Sequence, residues 1–281
     1  MSYLITGATG AIGRQIVKQL VASGAQVQAL SRNPQQANLP QGVRIFAGDL
    51  TGGDLQAGTF AGVKSLFLFP AEGGDIRPFL AQAKAAGVEH IVVLSSLAVA
   101  GKLPRDLNSA SYAHHLAIEQ AVAQSGIAYT TLRPGNFANN LRFWSHSIKS
   151  MRRVFGPYPQ AAQVLIHEAD VAAVAVAALT EARHRGATYA LTGPECLTQV
   201  EQLKTIGQAI GQELTYQQIS PEQYQQSMSQ YMPAGVIKML LAYWSDTVEQ
   251  PEVVRPTVEQ ITGRPAYSLA RWAAEHTADF M

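Results

Sequence analysis

Three glycines at G-x-x-G-x-x-G spacing, Gly7, Gly10 and Gly13 in LITGATGAIGRQIVKQL, are the strongest chemical signal in this chain. Glycine lets backbone N–H groups come close to a pyrophosphate, and a helix that follows adds unpaired N–H groups and the positive end of its dipole. The spacing is looser than G-x-G-x-x-G, so three glycines alone would say little. Their place gives them weight: they follow an apolar strand, open a helix and stand at the front of a βαβ unit. Gly7, Thr9, Gly10, Ala11, Ile12 and Gly13 are therefore expected to cradle a dinucleotide.

The end of the second strand discriminates between cofactors. An acid there would accept from the ribose of NAD, but this chain reads LSRNP, with Ser31, Arg32 and Asn33. Arg32 can pair with a 2′-phosphate and no carboxylate is present to repel one, so NADP(H) is expected over NAD(H). Asp49 and Leu50 after the third strand fall near the adenine, and Phe69 and Pro70 after the fourth along the adenosine side. Both placements rest on the rule that ligands lie beyond the carboxyl ends of parallel strands.

The stretch SYAHHLAIEQ, residues 111–120, raises a different question. Many dinucleotide-dependent reductases carry a Tyr and a Lys four residues apart on such a helix; here Tyr112 is followed at that spacing by Leu116, with no lysine in the stretch. His115 carries a side chain suited to proton donation, its unperturbed pKa lying near ~6.5. Two readings of it stand side by side: a donor to an acceptor oxygen, or a structural histidine paired with Glu119 one helical turn on.

The elements that must position these groups alternate along the chain. Tyr3–Thr6, Gln26–Leu30, Val43–Ala47, Ser65–Phe69, Ile91–Ser95 and Tyr129–Leu132 read as strands, while Ile12–Ser23, Ile76–Ala86 and Ala110–Ser125 carry apolar residues at helical spacing. Gly24, Gly87 and Gly126 each fall just past a helix, as stop signals do. Runs such as LFLF and IVVL are apolar throughout, which suits a parallel sheet covered on both faces. The fold class expected is α/β, a Rossmann-type doubly wound parallel sheet with a small, mainly helical C-terminal substrate lobe. Residues 1–281 are read as one domain, with 1–134 as the dinucleotide-binding core and 135–281 as further core elements and the substrate-side lobe. In that second part, helices are expected over 168–182, 198–210 and 268–280, a helical substrate-side lobe over 221–245, and strands over Thr188–Leu191 and Thr215–Ile219. Asp170 is expected to cap the first of these helices or to favour its positive end.

Composition narrows the classes. Of 281 residues, 47% are hydrophobic and 15% charged, which predicts a large buried core and no disorder. A formal charge of +1 without a basic block gives no footprint for nucleic acid. The single cysteine, Cys196, excludes an internal disulfide, and no His/Asp/Glu spacing suggests a metal. The start MSYLITGATG shows no export segment, and the longest apolar run, VAAVAVAAL, is too short to span ~30 Å of hydrocarbon. A cytoplasmic protein that does not engage the membrane is expected, with the oligomeric state left open.

Taken together, TGATGAIG (6–13), LSRNP (30–34), HLAIEQAVAQSGIAYTTLRPGNFANN (115–140), HEADVAAVAVAAL (167–179), YALTGPECLT (189–198) and PTVEQITGRPA (256–266) resemble the NmrA-like, atypical short-chain dehydrogenase/reductase family, with its quinone-reductase-like and azoreductase-like members. The resemblance covers almost the whole chain and implies an NADP-binding Rossmann fold whose C-terminal lobe closes over the nicotinamide. It further implies that Leu97, Ser111 and His115 stand where extended relatives carry catalytic Ser, Tyr and Lys. With that set missing, alcohol dehydrogenation and sugar epimerisation are not expected. Hydride transfer to a quinone-like acceptor remains, because a delocalised product anion needs no tuned tyrosine.

Around the acceptor, Ser95 and Ser96 at the fifth strand's end and Pro134, Asn136 and Phe137 after the sixth are expected at the nicotinamide. Tyr112, Phe143, Trp144, Tyr158 and His167 are the expected substrate-side residues, for a planar, conjugated small molecule. The packing alternatives are a hydrophobic seam for the aromatics and a loop histidine for His167. The alternative function is a non-catalytic NADP(H)-sensing regulator that passes a change in its lobe to a partner, as some members of the family do.

Overall fold

The computed structural model describes residues 2–51, 54–69, 73–101, 103–107 and 109–281. The first half alternates as expected: β1 (Ser2–Ile5), α1 (Ala11–Ala22), β2 (Gln26–Ser31), β3 (Arg44–Ala47), β4 (Val63–Leu68), α2 (Arg77–Ala85) and β5 (His90–Leu94). There follow α3 (Pro104–Leu107), α4 (Ala110–Gln124) and β6 (Ala128–Pro134). The second half holds α5 (Ser145–Met151), β7 (Arg153–Gly156), β8 (Ala162–Gln163), α6 (Glu168–Thr180), β9 (Thr188–Leu191) and β10 (Leu197–Thr198). It ends with α7 (Gln199–Ile210), β11 (Thr215–Gln218), α8 (Pro221–Met228), α9 (Ala234–Glu249), α10 (Thr257–Thr262) and α11 (Leu269–Glu275).

Seven strands form one parallel sheet in the order β3-β2-β1-β4-β5-β6-β9. The order reverses beside β1, where the chain runs outward through β2 and β3 and then returns to build β4 on the other side. That reversal opens a crevice at the carboxyl ends of β1 and β4. Period-two alternation divides the strand residues between two apolar layers. Ile5, Phe67 and Val92 join Ile16, Val17 and Leu20 of α1 and Val171, Val174 and Ala175 of α6 on one face. Leu4, Leu66, Leu68, Ile91 and Val93 meet Phe79 and Leu80 of α2 and Ile118 and Val122 of α4 on the other. Burial on both faces explains why LFLF and IVVL contain no polar residue.

Helix ends follow the sequence. At the end of α1, Gly24 takes φ +79°, and the N–H groups of Gly24 and Ala25 donate to the carbonyls of Val21 and Leu20. Gly87 and Gly126 close α2 and α4 at comparable positive φ.

The strand expected over Thr215–Ile219 forms as β11, Thr215–Gln218, and pairs in parallel with β7, a strand the pattern did not suggest. The helix expected over 268–280 stops at Glu275, and Thr277–Asp279 form a short 3-10 turn instead. α6 is capped not by Asp170 but by His167, whose Nδ1 accepts from the N–H of Ala169. Asp170 takes the other place expected of it, inside the first turn at the positive end of α6, with its carboxylate tied to Arg264 and the N–H of Tyr267. A third apolar cluster, with Leu141, Val154, Ile206, Trp272 and Phe280, packs the second-half elements together. No helix among the described residues is long and apolar enough to cross a membrane.

Candidate functional site

A cleft of about 1500 Å3 crosses the carboxyl ends of the strands. Its wall begins at the glycine loop. Gly7 takes φ +61°, and a Cβ there would stand 2.8 Å from the Phe69 side chain. The Gly10 N–H donates to the Gly7 carbonyl, closing the turn. α1 then starts at Gly10 with neither a side-chain cap nor an acidic residue in its first turn. The first N–H groups of a helix have no partner within it, so those of Ala11, Ile12 and Gly13 are left for a ligand at this wall. This cradle fits the diphosphate of a dinucleotide.

The surroundings hold the loop in place. Thr6 Oγ1 donates to the Phe67 carbonyl and accepts from the Phe69 N–H, clipping the ends of β1 and β4 together. Arg14 donates to the carbonyls of Thr9, Ala37 and Asn38 and so fastens the loop to the segment after β2. Arg32 lines the cleft, is exposed and forms no ion pair with a described residue. Asp49 Oδ1 accepts from the N–H and hydroxyl of Thr51, which shapes the turn beside Leu50.

At the middle of the cleft stand Ser95, Ser96, Leu97, Ser111, His114 and His115. Ser95 Oγ donates to Glu119 Oε1, and Arg133 grips the same carboxylate with two bonds, Nε–Oε1 at 2.9 Å and Nη2–Oε2 at 2.7 Å. The network ties α4 to the ends of β5 and β6 and leaves His115 unpaired with Glu119. His115 Nδ1 is buried without a hydrogen-bond partner among the described residues. Burial, reinforced by the neighbouring His114 and opposed by Glu119, pushes His115 down to about 4 from the ordinary 6.5. The ring is therefore neutral near pH 7, and the expectation of a histidine titrating near 6.5 is corrected by its desolvation.

Pro134, Asn136 and Phe137 continue the wall. The segment is zipped to Ile166 by three backbone features: the Ile166 N–H donates to the Asn136 carbonyl, the Ala138 N–H to the Ile166 carbonyl, and Phe137 bridges Ile166. Of the expected dinucleotide contacts, Gly7, Thr9, Gly10, Ala11, Ile12, Gly13, Arg32, Asp49, Leu50, Phe69, Ser95, Ser96, Pro134, Asn136 and Phe137 all line this one cleft. Pro70 lies outside the described residues.

The substrate-side expectations are not brought together. Among the described residues lining the cleft, Tyr112, Phe143, Trp144, Tyr158 and His167 are absent. Residues 138–144 coil as a 3-10 helix that turns Ala138 and Leu141 inward and leaves Phe143 exposed. Trp144 meets Tyr216 edge to face in the third cluster, Tyr158 sits in a turn at φ +53°, and the Tyr112 ring packs by Gly101. His167 is almost fully buried between Glu168 and Glu275.

The cleft is lined in addition by residues from further along the chain: Met239, Leu240 and Tyr243 of α9 and Gln250, Pro251, Glu252, Val253 and Arg255 after it. α9 is rich in apolar residues, yet Ile237 and Thr247 are its buried ones, while Met239, Leu240 and Tyr243 line the cleft, a division that only the folded chain displays.

With this geometry in hand, comparison with known proteins is decisive. Residues 7–182 match the family described as NAD(P)H-binding. The chain belongs to that family. It is 36% identical to the (4-alkanoyl-5-oxo-2,5-dihydrofuran-3-yl)methyl phosphate reductase of Streptomyces griseus, over 99% of this chain and 98% of that protein. It is 30% identical to the NAD(P)H azoreductase of Xenophilus azovorans, over 99% and 98%. Among solved structures, the NADPH complex of the Escherichia coli quinone oxidoreductase QOR2 superposes with a TM-score of 0.79 at 27% identity, covering 97% of this chain and 99% of that one. These likenesses agree with the NAD(P)H-binding fold that the motifs predict. Its cofactor is NAD(P)H.

Proposed function

We propose that this protein is an NADPH-dependent reductase that delivers hydride to a quinone-like or otherwise conjugated small molecule without a Ser-Tyr-Lys set. One observation carries the reading. The uncapped glycine loop opens into the same cleft as a neutral His115 and the apolar wall of α9. In this reading residues 1–134 form the dinucleotide-binding core, which also carries His115, and residues 135–281 add Asn136, Phe137 and the α9 side of the cleft.

When bound, the cofactor supplies the hydride, and the residues of the chain bind, orient and exclude water. The N–H groups at the start of α1 take the diphosphate and Arg32 takes the 2′-phosphate. Ser95 is held by Glu119 and Arg133 at the strand end beside the nicotinamide. His115, neutral, donates a hydrogen bond to the acceptor oxygen rather than a proton from an imidazolium. Leu97 and Ser111 stand where the resemblance would put Ser and Tyr, which suits an acceptor whose anionic product is delocalised and takes its proton from water. Met239 and Leu240 shield the reacting face, so positioning supplies most of the rate. The azo compounds, quinone and oxo-dihydrofuran named for the relatives are all conjugated acceptors.

The test follows NADPH absorbance while a panel of quinones, azo dyes and conjugated enones is offered to the protein. Acceptor-dependent oxidation is expected for at least one class. Tight NADPH binding without turnover on any of them would move the protein to the sensing reading.

A further inference from the structure

Arg255 lines the cleft, and its Nε is buried with no hydrogen-bond partner among the described residues. Nor does the guanidinium form an ion pair with any of them. The residue is held through its backbone, whose N–H donates 2.8 Å to Oγ1 of Thr192. Thr192 is itself buried, follows the last residue of β9 and also lines the cleft. That bond pins the segment after α9 to the end of the sheet and holds the cation there. The carboxylate nearest in sequence, Glu252, is turned to another use, its Oε2 accepting from the N–H of Val164 at 2.8 Å. A desolvated guanidinium donor without a partner costs stability, so an arginine kept in this state is suited to a ligand that completes it.

Its place shows which ligand. Arg32 follows β2 and the glycine loop follows β1, whereas Arg255 is held at β9, on the opposite edge of the sheet. Four inter-strand steps separate β1 from β9. At ~4.8 Å each they put about 19 Å between the two strands, so Arg255 is remote from the positions that take the dinucleotide phosphates. Ser95 at the end of β5 stands between these two strands, and His115 and the apolar residues Met239 and Leu240 of α9 line the same cleft as Arg255.

From these observations we infer that Arg255 is a specificity residue of the acceptor site, binding an oxyanion substituent (carboxylate, sulfonate or phosphate) on a substrate whose conjugated part rests against α9. The inference rests on the reductase reading for its substrate, though not for its binding arm. A planar fork with several donors suits an oxyanion better than a point charge does, so lysine would substitute incompletely.

The experiment compares naphthoquinone with its sulfonated derivative as acceptors, in wild type, Arg255→Gln and Arg255→Lys, alongside naphthalenesulfonate binding to the NADP+-loaded proteins by calorimetry. Losing a charge-assisted contact should raise KM for the sulfonated quinone about 10- to 100-fold more than KM for the neutral quinone in Arg255→Gln. Arg255→Lys should recover part of the loss, and NADPH affinity should be unchanged in both variants. In wild type, added salt should raise KM for the sulfonated quinone alone, a readout that needs no variant. Equal losses on both quinones, no loss on either, or naphthalenesulfonate binding that is indifferent to Arg255 would overturn the assignment. If neither quinone is reduced but naphthalenesulfonate binding still depends on Arg255, the anion site stands and the reductase reading falls.

Discussion

A Cβ at Gly13 would stand 2.2 Å from the carbonyl oxygen of Gly7, whereas one at Gly10 would meet the same oxygen at 3.4 Å. Gly13 is thus required by the close approach of helix to loop, while Gly10 keeps open the space a diphosphate would fill. Gly13→Ala should destabilise the protein by about 1–3 kcal/mol, read from the urea midpoint. Gly10→Val should leave the urea midpoint within ~0.5 kcal/mol of wild type and abolish NADPH binding. Retained binding would remove the cradle. At Arg32, truncation to Ala should weaken NADPH about 10-fold or more and leave NADH nearly untouched, since only the former carries the extra phosphate. At His115, a folded pKa of about 4 leaves the ring neutral over the working range. Turnover should therefore show no His115-dependent inflection between about pH 5.5 and 8, and His115→Ala should lower the rate without reshaping the profile. An inflection near 6.5 that disappears in the variant would show an imidazolium at work.

At the scale of elements, two motifs far apart in sequence explain one another. Asp170 in EADVA, fully buried, receives Arg264 of TGRPA at 2.7 Å and the N–H of Tyr267 at 2.7 Å. Arg264 and Arg271 stack on Tyr267 at 3.8 and 3.5 Å from the ring centroid. The pair joins the first turn of α6 to the turn between α10 and α11, and so holds the C-terminal elements against the sheet. Arg264→Ala leaves a buried carboxylate short of its counter-ion and should cost about 3–5 kcal/mol in denaturant unfolding. A loss under ~1 kcal/mol would show the pair to be dispensable.

For the whole molecule, buried histidines set the acid limit. His90 lies almost wholly inside the sheet, with Nε2 2.9 Å from Thr130 Oγ1. Burial first, then the charges of Arg185 and His184, push it down to about 4 from 6.5. His115 is lowered to about 4 as well, and His184 is lowered chiefly by burial. A histidine whose folded pKa is depressed binds its proton only in the unfolded chain between the two values. Stability is therefore fully present above about pH 6.5 and falls as pH drops toward 4. The melting temperature should drop by about 5–10 °C between pH 7 and 5, and His90→Gln should flatten that slope. A melting temperature constant across this window would contradict the burial argument.

Local chemistry made the dinucleotide half legible from the residues alone. A glycine spacing, a basic residue where an acid would stand, and strands followed by helix stops depend on short-range geometry, and they identified the sheet and the residues along its carboxyl edge. The acceptor half was different. Phe143, Trp144 and Tyr158 look like a platform in one dimension, but the 3-10 coiling of 138–144 and the fit of the third cluster turn them away from the cleft. Met239, Tyr243 and Arg255 enter it because α9 and the segment after it fold back over the sheet edge. Even His115 took its protonation state from burial. Which side chains share a cavity, and how far water is excluded from them, are settled by packing between segments a hundred or more residues apart, and no local pattern encodes that.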